Sequence, residues 1–358
     1  MCRADKGMRP RTAVTMWQSL VRPLLEYASE IWSGQVPEYF VKDAETVQMT
    51  FLRGTLGLHV NGSGVANEVV RAETGCEPLR NRWVKLKLGY WRRIFSAPAA
   101  RLLRVVAEYR HREFINSGGR GLGSRGWMRT AGESLIAHGM TPFWLTTSLV
   151  ADISSLTWKG MVYDADRISD GRRREKMGGM TSTSTYSDIK DWGLNPKVYA
   201  FSSGEVGRLG QNVPERYLDD RRCLKGTRLK LLCRLDCLPV MKRVGREVVP
   251  AWPVAQRVCL SCENGQIEDV HHFLMECPTY GHQRAKLMHR VLDVLSQCSG
   301  QEQFGQMDNR SQSLVILGKR IGDPAAENRI DAAVKKYLVK CWNLRGGVTR
   351  AINTKTVA

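Results

Sequence analysis

One segment of this chain narrows what it can fold into more than any other. Residues 259–277 contain Cys259-Leu-Ser-Cys262, nine further residues, His272, four more, and Cys277. A Cys-x-x-Cys pair sets two thiolates on one tight turn, where both can reach a single ion. On a helix, the step from His272 to Cys277 is expected to put an imidazole and a third thiolate on roughly one face. Four such donors close a tetrahedral Cys3His shell around Zn2+. No position is left for water, which is the pattern of structural rather than catalytic zinc. The competing reading is three buried cysteines and an unrelated histidine. His271 is a rival ligand, because it shifts the spacing by one residue.

Charge gives the next constraint. The 358 residues carry 54 basic against 35 acidic side chains, a net charge of +19, with 42% hydrophobic residues. A chain of this hydrophobicity folds, and its length suggests two or three domains. The basic excess attracts a polyanion whatever its sequence, which favours RNA and/or DNA as partner. No stretch approaches the roughly 20 apolar residues of a membrane span, and the opening Met-Cys-Arg-Ala-Asp-Lys does not read as a signal peptide. No membrane and no small-molecule substrate are expected. Ten cysteines without a secretory signal fit a reducing compartment, so the expected location is intracellular, nucleus and/or cytoplasm. Cys233 and Cys237 read as core residues.

The periodicity is helical almost throughout, so the fold class is mainly α. Val14, Trp17, Val21, Leu24, Leu25, Ala28 and Ile31 recur at helical steps over 12–32, with Pro23 expected to kink or divide the helix. A second helix is expected over about 40–57, with Val47, Phe51 and Leu52 inward and Gly57 as its stop. Others are expected at 78–95, 97–115, 215–240, 281–297 and 324–345. The Gly-rich 116–126 reads as a flexible basic loop; its G-x-G-x-x-G match lacks the preceding apolar strand of a dinucleotide site. Met177–Ser187 reads as a linker and 298–310 as a polar loop. The boundaries that follow are 1–115, a basic helical linker region 116–212, and a zinc-binding region 213–358.

Candidate nucleic-acid contacts are Arg92 and Arg93 beside Tyr90-Trp91; Arg120, Arg125 and Arg129 around Trp127; and the run Arg172, Arg173, Arg174. Arg221, Arg222, Lys225 and Arg228 precede the zinc segment, and Lys242 and Arg243 lie closer to it. Arginine grips phosphate bidentately and stacks on open bases. Trp83, Tyr90 and Trp91 recur as a core stripe would, and His282 and His289 read as a solvated face. His59, His111 and His138 lie apart and read as surface or packing histidines. No nucleophile and base stand together. Tyr217-Leu-Asp219-Asp220 reads as a helix start behind Pro214, without the apolar strands that a metal-binding Tyr-x-Asp-Asp turn requires.

Residues 268–277, Glu-Asp-Val-His-His-Phe-Leu-Met-Glu-Cys, with Pro278 after them, resemble the C-terminal zinc-binding segment of non-LTR (LINE-type) retrotransposon reverse transcriptases. MWQSLVRPLLEYASEIWS (16–33) resembles the helix after the palm of those polymerases, and VQMTFLRGTLGL (47–58) the next thumb helix. Residues 76–95, 228–240 and 335–345 resemble later segments in the same order, whereas 110–215 match loosely. The resemblance implies a thumb-like helical region, a linker and a zinc module that hold RNA or target DNA. In that family the catalytic Tyr-x-Asp-Asp precedes the helix resembled by 16–33, whereas Tyr217–Asp220 follows it. The chain is therefore expected to be a non-catalytic remnant whose palm and fingers would lie before residue 1. The lack of a palm would leave apolar surface on the thumb-like region. A host-retained nucleic-acid-binding adaptor is the alternative, and an active polymerase using Asp219 and Asp220 a remote one.

Overall fold

The computed structural model describes residues 8–58, 64–118, 126–178, 184–190, 214–220, 223–262, 264–298 and 301–346, with backbone alone at 167–178 and 301. These residues are mainly helical and contain no extended strand, only one antiparallel bridge between Val258 and Ile267.

The first apolar stripe is broken up. It forms α1 (Pro10–Met16), a π-helical turn (Trp17–Val21), α2 (Arg22–Glu26) and α3 (Ser29–Trp32). Pro23, which has no N–H to donate, sits in the first turn of α2, where none is needed. Ala28 then takes a left-handed conformation, φ 52°, and redirects the chain. The expected stripe is therefore half right. Val14 and Trp17 are buried, whereas Leu24 and Ile31 face solvent. Next comes α4 (Glu38–Leu56), ended by Gly57 at φ 69°, a backbone that a side chain would strain. Leu52 of α4 is buried as expected, but Val47 is exposed.

The middle of the chain forms α5 (Asn67–Thr74), α6 (Leu79–Phe95), α7 (Leu102–Asn116), α8 (Trp127–Ala137), α9 (Thr141–Leu145) and α10 (Ser155–Gly178). Trp91, Phe95, Trp144 and Trp158 pack together here, so the aromatic stripe of α6 is core and not a stacking platform. The buried His111 bonds through Nε2 to the Trp144 carbonyl oxygen at 2.8 Å, and His138 bonds through Nδ1 to the Ser134 carbonyl oxygen. His59 and residues 119–125 of the Gly-rich loop lie outside the described residues.

The expected linker at Met177–Ser187 contains the start of a helix instead: α11 (Ser184–Lys190) buries Tyr186 and Ile189. Burying an aromatic ring in this way outweighs the Ser/Thr turn signal on either side of it. The C-terminal part contains α12 (Leu224–Arg234), α13 (Met241–Glu247), α14 (Gly281–Ser296), α15 (Gln301–Gln306), α16 (Asn309–Leu317) and α17 (Pro324–Arg345). The α15 helix replaces part of the expected polar loop, with Phe304 as its buried anchor. The bounds of α17 agree with the sequence expectation: Asp323 accepts from the Ala325 and Ala326 amides to start it. One core joins α12, α14, α16, α17 and the segment 259–280, and Leu232 also touches the neighbouring core of α4, α5 and α11.

Candidate metal centre

Four side chains converge between α13 and α14. The bridge from Val258 to Ile267 brings the chain back on itself, and the Cys259 amide donates to the Gln266 carbonyl oxygen at 2.8 Å. Cys259 and Cys262 stand on the tight turn so formed. Asp269 starts the second half of the site by accepting from the His272 amide at 2.9 Å. His272–Glu276 then forms a π-helical turn, closed by the Cys277 amide donating to the His272 carbonyl oxygen at 2.8 Å. That geometry corrects the helical argument from sequence. Five residues along an α-helix leave two side chains roughly 140° apart. The wider turn closes an i to i+5 hydrogen bond, and this puts His272 and Cys277 on one side.

The ligand atoms of Cys259, Cys262, His272 and Cys277 all lie within 4.8 Å of one another, close enough to hold one metal ion. Cys259 Sγ is 3.9 Å from Cys277 Sγ, and Cys262 Sγ is 3.5 Å from His272 Nε2. The rival histidine is thereby resolved. His272 is buried and points Nε2 inward, while His271 lies partly exposed with its Nε2 3.4 Å from Glu276. His272 Nδ1 is buried without a hydrogen bond, 3.5 Å from Glu276 Oε2. A carboxylate behind a histidine fixes its tautomer when the other nitrogen binds a metal. Burial pushes the Cys259 thiol up to about 12 and raises Cys277 as well. A cation among these donors reverses that preference, since it favours thiolate.

The surroundings tie this cluster into the core. Phe273 packs edge-on to Tyr280, and the Thr279 hydroxyl donates to the Ser261 carbonyl oxygen at 2.6 Å. From α17, the Tyr337 hydroxyl donates to the Leu274 carbonyl oxygen at 2.8 Å. Arg345, in the last turn of α17, forms two 2.7 Å hydrogen bonds to Glu268, and both residues are 1% exposed. Glu268 also accepts from the Met241 amide at 2.7 Å, at the start of α13. Sequence reasoning passed over this pair. Its signal was present: Ile330, Val334, Leu338, Cys341 and Arg345 form one helical stripe, so the arginine ends an apolar face.

Tyr217 belongs to a second, buried charge cluster, with Asp220 at its edge and Asp219 outside it, 41% exposed. The short 3-10 turn Arg216–Asp219 places the Tyr217 ring among Lys230, Arg234 and Lys335. The Tyr217 hydroxyl donates to Glu73 at 2.6 Å, and Arg234 reaches the same carboxylate at 2.8 Å. Asp219 pairs with Arg9 and Arg11 at 3.1 and 2.9 Å, and Asp220 with Lys335 at 3.2 Å. Burial is the largest influence on Glu215 beside them and would raise it, yet Lys190 and Arg234 together hold it at about 2.

The described basic side chains singled out from sequence have partners within the protein. Arg92 donates to the Ile153 carbonyl oxygen, Arg93 lies over the Tyr90 ring and Arg129 pairs with Glu133. Lys225 donates to Asn343 and Arg228 to the Gly57 carbonyl oxygen. Lys242 pairs with Asp269, which ties it to the metal centre, and Arg243 pairs with Glu247. Arg172, Arg173 and Arg174 lie on α10, whose side chains there are outside the described atoms. Arg120, Arg125, Arg221 and Arg222 fall outside the described residues. No family model, curated protein or solved structure matches this chain.

Proposed function

We propose that this chain binds nucleic acid, RNA and/or DNA, through basic helices organised by a structural zinc ion, and that it does not itself polymerise. It is read as the C-terminal part of a LINE-type reverse transcriptase. The observation that carries the reading is the convergence of Cys259, Cys262, His272 and Cys277 within the segment that carries the most specific resemblance. Zinc bonds of about 2.3 Å to sulfur and 2.0–2.1 Å to nitrogen, at tetrahedral angles, separate two sulfurs by about 3.8 Å and a sulfur and nitrogen by about 3.5 Å. Two of the six separations match these values, at 3.9 and 3.5 Å, and all six are within 4.8 Å. Four protein donors leave no place for a substrate, which supports a structural role. The net charge of +19 supports a polyanionic partner.

The pairing of Asp219 and Asp220 with Arg9, Arg11 and Lys335 supports catalytic silence, because cations already occupy the sides where two catalytic metals would bind. No helix among the described residues is long and apolar enough to cross a membrane. An intracellular location, nucleus and/or cytoplasm, is part of the proposal. The test combines two assays on the zinc-loaded chain. Fluorescence anisotropy with labelled RNA and DNA is expected to show binding that weakens steeply with salt. Primer extension with magnesium or manganese is expected to stay at background. Absence of binding at low salt overturns the nucleic-acid reading, and extension abolished by Asp219→Asn overturns the silence.

A further inference from the structure

The described basic side chains are mostly spoken for within the protein. Arg71 pairs with Glu45, Arg82 with Glu26, Lys85 with Glu77 and Lys230 with Asp331. Five of the basic side chains without a carboxylate partner line one groove. The outer faces of α14 and α17 enclose an open groove lined by Lys286 and Arg290 from α14 and by Arg329, Lys336 and Lys340 from α17. All five are exposed. Among the described residues, none of them has a carboxylate within salt-bridge distance. Arg329 donates instead to the neutral Gln297 side chain at 2.6 Å. Asp293 is the one acidic residue lining the groove, and it faces His289 at 3.7 Å.

The positions follow from helical geometry. Lys286, Arg290 and Asp293 recur at four and three residues, as do Arg329, Ala333, Lys336 and Lys340, so each helix presents one continuous face to the groove. Ala285, Ala332 and Ala333 between the charges keep the floor low. From His282 to Asp293 the face runs about 16 Å along α14. The one Phe, Tyr or Trp among the lining residues, Tyr337, has a buried ring, and its hydroxyl is committed to Leu274. A groove of five cations, with no exposed Phe, Tyr or Trp among its lining residues, suits a repeating phosphate backbone better than base readout.

We infer that the α14/α17 groove is where the sugar-phosphate backbone of a nucleic acid binds, gripped by Lys286, Arg290, Arg329, Lys336 and Lys340 without preference for base sequence. This rests on the nucleic-acid reading above and locates it. The groove depends on the metal centre. The α14 helix starts four residues after Cys277, and α17 is fixed to the same segment through Tyr337 and Arg345. The sequence carried part of the signal, in the spacing of His282, Lys286, His289 and Arg290, but it could not place α17 beside α14.

The experiment is salt-titrated anisotropy on the full chain, with zinc content and circular dichroism checked for each variant. The probes are labelled single- and double-stranded DNA and RNA of one length, and polyglutamate as an acidic peptide. The test variant is Lys286→Gln/Arg290→Gln/Lys336→Gln/Lys340→Gln; the comparison variant is Arg80→Gln/Arg110→Gln, two exposed arginines outside the groove and outside the candidate contacts. The test variant is expected to lose about tenfold or more in affinity, with a log–log salt slope smaller by about 0.7–0.9 for each phosphate contact removed. The comparison variant should change little. A second variant, Lys336→Glu/Lys340→Glu, reverses charge at two exposed positions and should weaken binding further per residue. If wild-type protein binds nucleic acid and both groove variants bind equally well with the same slope, the groove is wrong and the broader reading stands. Polyglutamate binding as tightly as nucleic acid would overturn the phosphate-backbone assignment. If the wild type binds no nucleic acid, the broader reading falls with it.

Discussion

The two ends of this chain use the same secondary structure and reach opposite results. In the C-terminal part, α12, α14, α16 and α17 close their apolar faces on one another and on the segment that carries the Cys3His cluster. Its buried charges are matched: Arg345 with Glu268, and Lys335 with Asp331 and Asp220. In the N-terminal 10–56, apolar side chains point outward. Leu24 is 77% and Tyr27 81% exposed, and Leu20, Tyr39 and Phe40 are more than half exposed. A π turn and the left-handed Ala28 rotate the second half of the stripe away from the core that Val14 and Trp17 enter. The lesson is that periodicity assigns a helix more securely than it assigns a buried face. An uninterrupted helix such as α17 keeps its stripe in register, and a broken one does not. An apolar surface of this kind is expected to limit solubility.

Perturbing the two regions should therefore give unequal responses. Arg345→Met leaves Glu268 charged and buried, and is expected to cost about 3–5 kcal/mol of stability by urea or thermal unfolding. The double change Glu268→Leu/Arg345→Leu should recover part of that loss, because no buried charge is then left unpaired. A single variant as stable as wild type would show that the C-terminal part does not depend on its internal pairing. At the other end, Leu24→Ser/Tyr27→Ser should change stability by no more than about 0.5 kcal/mol while raising solubility. A loss of several kcal/mol there would mean that this face is covered in the folded protein, and the contrast would disappear.

Much of the fold could be read from the sequence where signals agreed. For α6, α14 and α17, apolar spacing gave a clear helix, supported in α17 by an Asp cap. The candidate metal ligands were legible because their chemistry depends on residue type and spacing. The turn that brings His272 and Cys277 together was not, since a π-helical hydrogen bond leaves no mark in hydrophobic periodicity. Nor were the partners of Arg345, Arg234 and Lys335 visible. Glu268, Glu73 and Asp220 lie 77, 161 and 115 residues away from them, and pairing over such distances is a property of the packed core. Tyr217–Asp220 was correctly placed outside a strand turn, but its burial against three cations required the fold.

The central claim is that Cys259, Cys262, His272 and Cys277 hold one structural zinc ion on which the C-terminal part depends. Metal content by plasma mass spectrometry, followed by circular dichroism after chelation, tests it most directly. The account predicts one zinc per chain in wild type and His271→Ala, loss of that zinc in Cys262→Ser and His272→Ala, and loss of helical signal when a chelator removes it. Full zinc retained by Cys262→Ser, or zinc lost from His271→Ala and kept by His272→Ala, would contradict it.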